Sequence, residues 1–158
     1  MLETLVFQVT TRCPLNCPQC YMEKGKRDLS VSVGKSLINR LGSIESGAAV
    51  QFTGGEPMAY KDLITLISYA SECGLYSAVA TSGLGHSERF YRQLKNSGLS
   101  VLCVSINHID EGKNAFTRDS YELSMSAIKT ACKVGLYCCA NVVVTDQNID
   151  ALKELSDR

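Results

Sequence analysis

The sequence has 158 residues, 45% hydrophobic and 20% charged, which is the composition of an ordinary globular protein with one core. Sixteen basic and sixteen acidic residues cancel, so charge gives no support for a nucleic-acid partner. No apolar run reaches the roughly 18 residues of a membrane span, and the N-terminus is unlike a signal peptide. We therefore expect one cytoplasmic domain over residues 1–158, with no nucleic-acid or membrane partner.

Short β-branched apolar runs alternate along the chain with longer amphipathic stretches, which predicts βα units and a parallel sheet. Strands are predicted over residues 5–9, 49–52, 77–80, 101–106 and 137–144. Helices are predicted over residues 33–46 and 63–73, from Ser87 to near Gly98, from a capping box at Asp119 and Glu122 to Gly135, and from about residue 148 to 158. Five such units predict an α/β partial barrel, with a flat doubly wound sheet as the alternative.

Unusual residues follow the predicted strands. A cysteine-containing loop follows the first strand, residues 54–57 follow the second, 81–83 the third, and 105–108 surround the end of the fourth. Because the carboxyl ends of parallel strands meet at one edge, where ligands bind, these segments are expected to form one site.

Three of the eight cysteines have the spacing of metal ligands. Cys13, Cys17 and Cys20 lie on one loop and can surround an inorganic cluster, whereas a structural zinc needs a fourth ligand. The two histidines, His86 and His108, lie in distant loops. The pattern predicts a metal site with one open position. The remaining cysteines are expected to be buried packing residues: Cys73, Cys103, Cys132, Cys138 and Cys139.

The CxxxCxxC pattern of Cys13, Cys17 and Cys20, followed by Tyr21 and then by Gly-Gly-Glu-Pro at residues 54–57, resembles the radical S-adenosylmethionine (SAM) superfamily. The resemblance covers essentially the whole chain and is strongest to the branch that modifies peptides and small molecules. It implies a [4Fe–4S] cluster on the three cysteines, with SAM on the fourth iron. Reductive cleavage of SAM would give a 5′-deoxyadenosyl radical that abstracts hydrogen from a substrate.

The resemblance also implies contacts to the methionine part of SAM after the second strand. Gly54 and Gly55 have no Cβ, so their backbone can approach a ligand closely, and Glu56 offers a carboxylate to the ammonium group. An ordinary turn is the alternative.

Further cofactor-binding positions are expected near the ends of the later strands. Ser82 resembles a polar position near SAM. Ser105 and Asn107 share one strand face, which suits bonds to a ribose. Arg118 resembles an arginine that approaches the cofactor carboxylate, and Asn141 is expected to point into the barrel mouth. The alternatives are a surface turn for Ser82, an exposed arginine at a helix entry, and a core amide for Asn141.

Two positions depart from the family pattern. The residue before the last cysteine is usually aromatic, whereas here it is Gln19, whose amide can still hydrogen-bond adenine. An aspartate is common where Asn107 stands, which implies an uncharged contact.

The resemblance implies six βα units, whereas this sequence ends in the fifth helix, so a missing C-terminal portion or a partner chain is expected to complete the barrel. Without it the isolated chain could be inactive. Expected partners are a peptide or small-molecule substrate and a reducing electron donor such as flavodoxin or ferredoxin. Two alternatives stay open. One is an activating protein for a glycyl-radical enzyme, and the other is a non-catalytic metal-binding or assembly module.

Overall fold

The computed structural model describes residues 3–45, 47–152 and 154. In this part of the chain five parallel strands form one sheet in chain order: β1 (Thr4–Thr10), β2 (Ala49–Gly54), β3 (Tyr76–Thr81), β4 (Val101–Ser105) and β5 (Cys138–Asn141). The helices are α1 (Val31–Ile44), α2 (Leu63–Glu72), α3 (Glu88–Asn96), α4 (Glu111–Ala115) and α5 (Tyr121–Lys133), with 3₁₀ turns at Pro57–Ala59 and Ile149–Ala151. None of the described helices is long and apolar enough to cross a membrane.

All the main helices lie on the same face of the sheet. Consecutive helices contact one another, α1 with α2, α2 with α3, and α3 with α5. A doubly wound sheet would place helices on both faces, so the alternative fold is wrong and the partial barrel is confirmed. The alternation within strands agrees with this arrangement, since Leu102 and Val104 of β4 are fully buried in the core whereas Val101 and Cys103 are only half-buried.

The strands occur where they were predicted, with shifted ends. The fifth ends at Asn141 rather than at residue 144, and the fourth at Ser105 rather than at residue 106. Helix α4 was not predicted; it is only five residues long, and Asp110 caps it by accepting from the N–H of Lys113 at 2.9 Å. Residues 153 and 155–158 of the predicted fifth helix, and Ser46 at the end of the first, lie outside the described residues.

The predicted capping box before α5 is wrong. The N-cap residue is Ser120, whose φ is 80° and whose side chain makes no capping bond. Asp119 instead accepts from the backbone N–H of Ser120 at 2.9 Å and from that of Asn16 at 3.2 Å. Its carboxylate is thus used to hold the cysteine loop, a contact across 103 residues of chain that no local pattern reveals.

Candidate active site

A cavity of about 430 Å³ lies where the carboxyl ends of the strands meet. Its lining includes the last residues of four strands: Gly54, Thr81, Ser105 and Asn141. The three cysteines of the predicted metal site line it too, with seven of the nine residues predicted to bind the cofactor: Gln19, Gly54, Gly55, Ser82, Ser105, Arg118 and Asn141. Glu56 and Asn107 do not line it. The topology therefore brings together residues up to 130 positions apart in sequence, from Cys13 to Val143.

The cysteine loop, residues 11–20, is held against the segment between α4 and α5. The backbone N–H of Gln19 donates to the carbonyl oxygen of Thr117 at 3.2 Å, and the N–H of Asn16 to the carboxylate of Asp119. Within the loop, the N–H of Cys20 donates to the carbonyl oxygen of Cys17 at 3.1 Å. These bonds hold the last two cysteines in a turn whose position depends on a distant part of the chain.

The start of the cysteine loop is fixed by Asp28. Its carboxylate accepts from the hydroxyl of Thr10 at 2.6 Å and from Nε of Arg12 at 3.1 Å. The Thr10 hydrogen bond, followed by the Arg12 guanidinium, holds the pKa of Asp28 below its usual value. Both ends of the loop are thus anchored before Cys13 and after Cys17.

Close contacts with the end of β1 and the start of the cysteine loop require glycine at positions 54 and 55, at the end of β2. The N–H of Gly55 donates to the carbonyl oxygen of Thr10 at 2.8 Å. Gly54 has φ of +134°, and a Cβ there would collide with that same oxygen. A Cβ on Gly55 would collide with the carbonyl oxygen of Arg12 and lie 3.1 Å from Cβ of Cys13. The close approach to both glycines is therefore made by this chain's own backbone at Thr10 and Arg12, on one wall of the cavity.

We expect Gly55→Ala to displace Cys13, because the added methyl group meets backbone that cannot move without the loop. Iron retained after anaerobic reconstitution should fall severalfold, and stability by about 1–3 kcal/mol from overpacking. Gly85→Ala is the matched control, since a Cβ there meets only Leu123 at 3.4 Å. Equal iron content in the two variants would contradict this account.

Glu56 lies beneath the cavity wall and is 0% exposed. One carboxylate oxygen accepts from the N–H of Met58 at 3.0 Å and the hydroxyl of Thr81 at 2.5 Å, and the other from the N–H of Ser82 at 2.9 Å. Burial raises the pKa of Glu56, against the lowering effect of these hydrogen bonds. The carboxylate thus joins the loops after β2 and β3, and the structure does not bring it to the cavity as the ammonium contact requires.

Arg118 and Ser82 form one polar wall of the cavity. Nη2 of Arg118 donates to the Ser82 hydroxyl at 2.9 Å. The hydroxyl of Ser124 supports this wall by reaching the carbonyl oxygens of Ser82 at 2.9 Å and Ser105 at 3.0 Å. Nε of Arg118 is buried and has no acceptor among the described residues. A cationic N–H donor without a partner is suited to an anionic ligand oxygen.

Asn107 does not reach the cavity because β4 ends two residues earlier, so the two-residue alternation does not extend to it. Its side chain is turned into the wall, with bonds to Gln19, Thr117 and Val143. The expected ribose contact by Asn107 therefore has no geometric support, whereas Ser105 lines the cavity.

The five cysteines outside the motif are less buried than expected: Cys73, Cys103, Cys138 and Cys139 are only half-buried. All eight are free thiols. Burial raises the pKa of Cys13, and raises that of Cys103 and of Cys138 to about 12. Cys132 was expected to be buried, but it is exposed on α5, where the helix faces away from the core.

The three thiols line one cavity, as ligands of a single shared group must. Among residues 3–45, 47–152 and 154, no three His, Cys, Asp or Glu side chains converge on a single-ion position. In a four-iron cluster each thiolate binds its own iron, so the sulfur atoms lie further apart than around one zinc. The shared cavity is consistent with three thiolates that bind one such cluster.

This architecture defines a partial (βα) barrel with three cysteines at its mouth, and the comparison with known families identifies it. The Radical SAM superfamily model matches residues 7–158, so the chain belongs to the radical SAM superfamily. The cofactors of this family are a [4Fe–4S] cluster and SAM. The resemblance to this superfamily that the sequence motifs indicated is thereby confirmed.

Two curated relatives illustrate the similarity. PqqA peptide cyclase of Bradyrhizobium diazoefficiens is 28% identical over 158 residues, which covers 96% of this chain and 41% of the cyclase. Fe-coproporphyrin III synthase of Methanosarcina barkeri is 29% identical over 159 residues, with 97% and 40% covered. The chain thus spans about two fifths of the length of these relatives.

Solved structures share the fold. The enzyme anSMEcpe with bound AdoMet superposes with a TM-score of 0.79 at 17% identity, covering 97% of this chain and 48% of that one. SuiB of Streptococcus suis, bound to the precursor peptide SuiA, gives 0.84 at 21% identity, covering 98% and 36%.

Proposed function

We propose that Cys13, Cys17 and Cys20 bind a [4Fe–4S] cluster, and that the chain is the cofactor-binding part of an enzyme that cleaves SAM reductively. The observation that carries the proposal is that three free thiols and the Arg118 side chain line one cavity. When bound, the reduced cluster supplies the electron that splits SAM into methionine and a 5′-deoxyadenosyl radical.

The residues of the chain have separate roles in this proposal. Arg118 orients the carboxylate of SAM with its guanidinium group, while its Nη2 stays on Ser82. The backbone of Gly54 and Gly55 forms the wall beside Cys13. Asn141 is exposed on β5 at the open side of the cavity, where a substrate can approach.

We further propose a peptide substrate, because a peptide cyclase is among the relatives and SuiB was solved with a precursor peptide. Residues 1–158 would then supply the cofactor-binding core of the barrel. Substrate recognition and the electron donor, such as flavodoxin or ferredoxin, would involve surfaces outside this cavity.

Anaerobic reconstitution with iron and sulfide tests the proposal. We expect about four irons per chain and charge-transfer absorption. Addition of SAM and a strong reductant should then release 5′-deoxyadenosine. A folded, colourless chain that binds one zinc ion and no SAM would overturn the proposal in favour of a structural metal site.

Arg118→Lys should weaken SAM binding about tenfold, because an ammonium cannot hold Ser82 and a ligand carboxylate with one rigid fork. Arg92→Lys is the control, since Arg92 is a surface residue that pairs with Glu88 on α3. SAM titration of the reconstituted chain measures both. Unchanged affinity in Arg118→Lys would exclude Arg118 as the carboxylate ligand.

A further inference from the structure

Gln19 and Asn107 lie between two cavities. Gln19 lines the large cavity that holds the three thiols, and Asn107 lines a second cavity of about 290 Å³ beside α4. Nδ2 of Asn107 donates to Oε1 of Gln19 at 3.1 Å. The hydrogen bond therefore connects a residue of the cysteine loop to the segment that follows β4.

The backbone N–H of Val143 determines how the side-chain amides of Asn107 and Gln19 are oriented toward each other. The N–H of Val143, which can only donate, reaches Oδ1 of Asn107 at 3.1 Å. Nδ2 of Asn107 must then point the other way, to Oγ1 of Thr117 at 2.9 Å and to Gln19. Oε1 of Gln19 is thus the acceptor, and its Nε2 has no protein acceptor within the described part of the chain.

Asn107 is 3% exposed, and its backbone is also bonded. Its N–H donates to Oδ1 of Asn114 at 2.9 Å, and its carbonyl oxygen accepts from Nδ2 of Asn148 at 2.9 Å. The residue therefore connects three segments: the cysteine loop, α4, and the chain after β5. No other side chain among the described residues bonds to both Gln19 and Val143.

We infer that Asn107 is a positioning residue that acts through Gln19, setting the loop with Cys17 and Cys20 against the segment after β5. This inference rests on the proposed role of that loop in holding the cluster. Val143 also lines the cavity, so the contact ties the cysteine-loop side of the cavity to the segment after β5. Without it, the cysteine loop keeps its bonds to Thr117 and Asp119 but loses this side-chain link to the segment after β5.

A cycle of isosteric substitutions tests the contact. In Asn107→Asp the Gln19 amide can turn over and donate through Nε2, and in Gln19→Glu the new carboxylate still accepts from Asn107. The double variant places two acceptors of like charge face to face. Each single variant should lower the affinity for SAM less than about threefold. The double variant should lower it at least about tenfold more than the product of the two single losses.

The readout is SAM titration of the reconstituted chain, followed by the change in the electron paramagnetic resonance spectrum of the reduced cluster, with iron content measured in parallel. The control cycle pairs Gln19→Glu with Asn148→Asp. Asn148 belongs to the same network but does not contact Gln19. In this control cycle the losses in SAM affinity from Gln19→Glu and Asn148→Asp should multiply to within about threefold.

The outcomes separate this inference from the proposed function. Multiplicative effects in the Asn107 cycle, or a single variant as impaired as the double, would overturn the positioning role while the unmodified chain still bound iron and SAM. A coupling of equal size in the control cycle would overturn it too, because added charge alone would then explain the loss. Failure of the unmodified chain to bind iron or SAM would instead overturn the proposed function.

Discussion

Cys17→Ala will abolish SAM cleavage. Cys17 is the central ligand of the proposed cluster, and its carbonyl oxygen also closes the turn to Cys20. Removing its thiolate leaves two ligands without a replacement, since among the described residues no Cys, His, Asp or Glu other than the three cysteines lines the cavity. Iron per chain should fall from about four to near zero. The 5′-deoxyadenosine formed under reducing conditions should fall below detection.

Cys132→Ala is the matched control for this experiment. Cys132 is a free and exposed thiol on α5, so its removal tests whether nonspecific iron binding to cysteines contributes to the signal. We expect unchanged iron content and unchanged SAM cleavage. Turnover that persists in Cys17→Ala, or that is lost equally in both variants, would contradict the assignment of the cluster to the cysteine loop.

The sequence predicted the strands and most of the site for a physical reason. In a parallel sheet the carboxyl end of every strand lies on one edge, so residues 54, 81–82, 105 and 141 had to converge once the strands were known. The three cysteines were predicted to be metal ligands from their own spacing in the sequence. These inferences depend on local pattern and on a topological rule, and neither requires side-chain packing to be known.

The remaining contacts depend on packing between segments distant in sequence. Asp119 has the spacing of a helix cap, yet it bonds to Asn16. Asn107 has the alternation of a strand residue, but β4 ends before it. Glu56 has the charge expected of a ligand contact, yet it is buried among hydrogen-bond donors of its own chain. In each case a polar group found a protein partner that only the folded arrangement supplies.

Glu56→Gln will lower the rate of SAM cleavage about 10²-fold, although the two side chains have nearly the same shape. The glutamine can offer one oxygen to Met58 and Thr81, but its NH₂ group then faces the N–H of Ser82. An unpaired buried donor costs about 1–3 kcal/mol of stability. A displacement of Ser82, and with it of Arg118, of about 1 Å is enough for a loss of this size.

The pH dependence of stability provides a second readout of Glu56. Burial raises its pKa in the folded chain, so between the ordinary value of 4.5 and the folded pKa the native state binds more protons than the unfolded state. The stabilisation from the protonated group is fully present below 4.5 and is lost as pH rises toward the folded pKa. When the free energy of unfolding is measured with urea, Glu56→Gln should remove this decline with rising pH. The control Glu72→Gln, at an exposed position, should keep it.

A SAM analogue without the amino group distinguishes positioning by Glu56 from direct contact. If the carboxylate supports the Ser82 and Arg118 wall from beneath, Glu56→Gln weakens binding of SAM and of the analogue by the same factor. If the carboxylate instead binds the ammonium, the variant loses affinity for SAM alone. Because all three hydrogen bonds to Glu56 come from Met58, Thr81 and Ser82, we expect equal losses. A loss confined to SAM would show that Glu56 turns toward the ligand on binding.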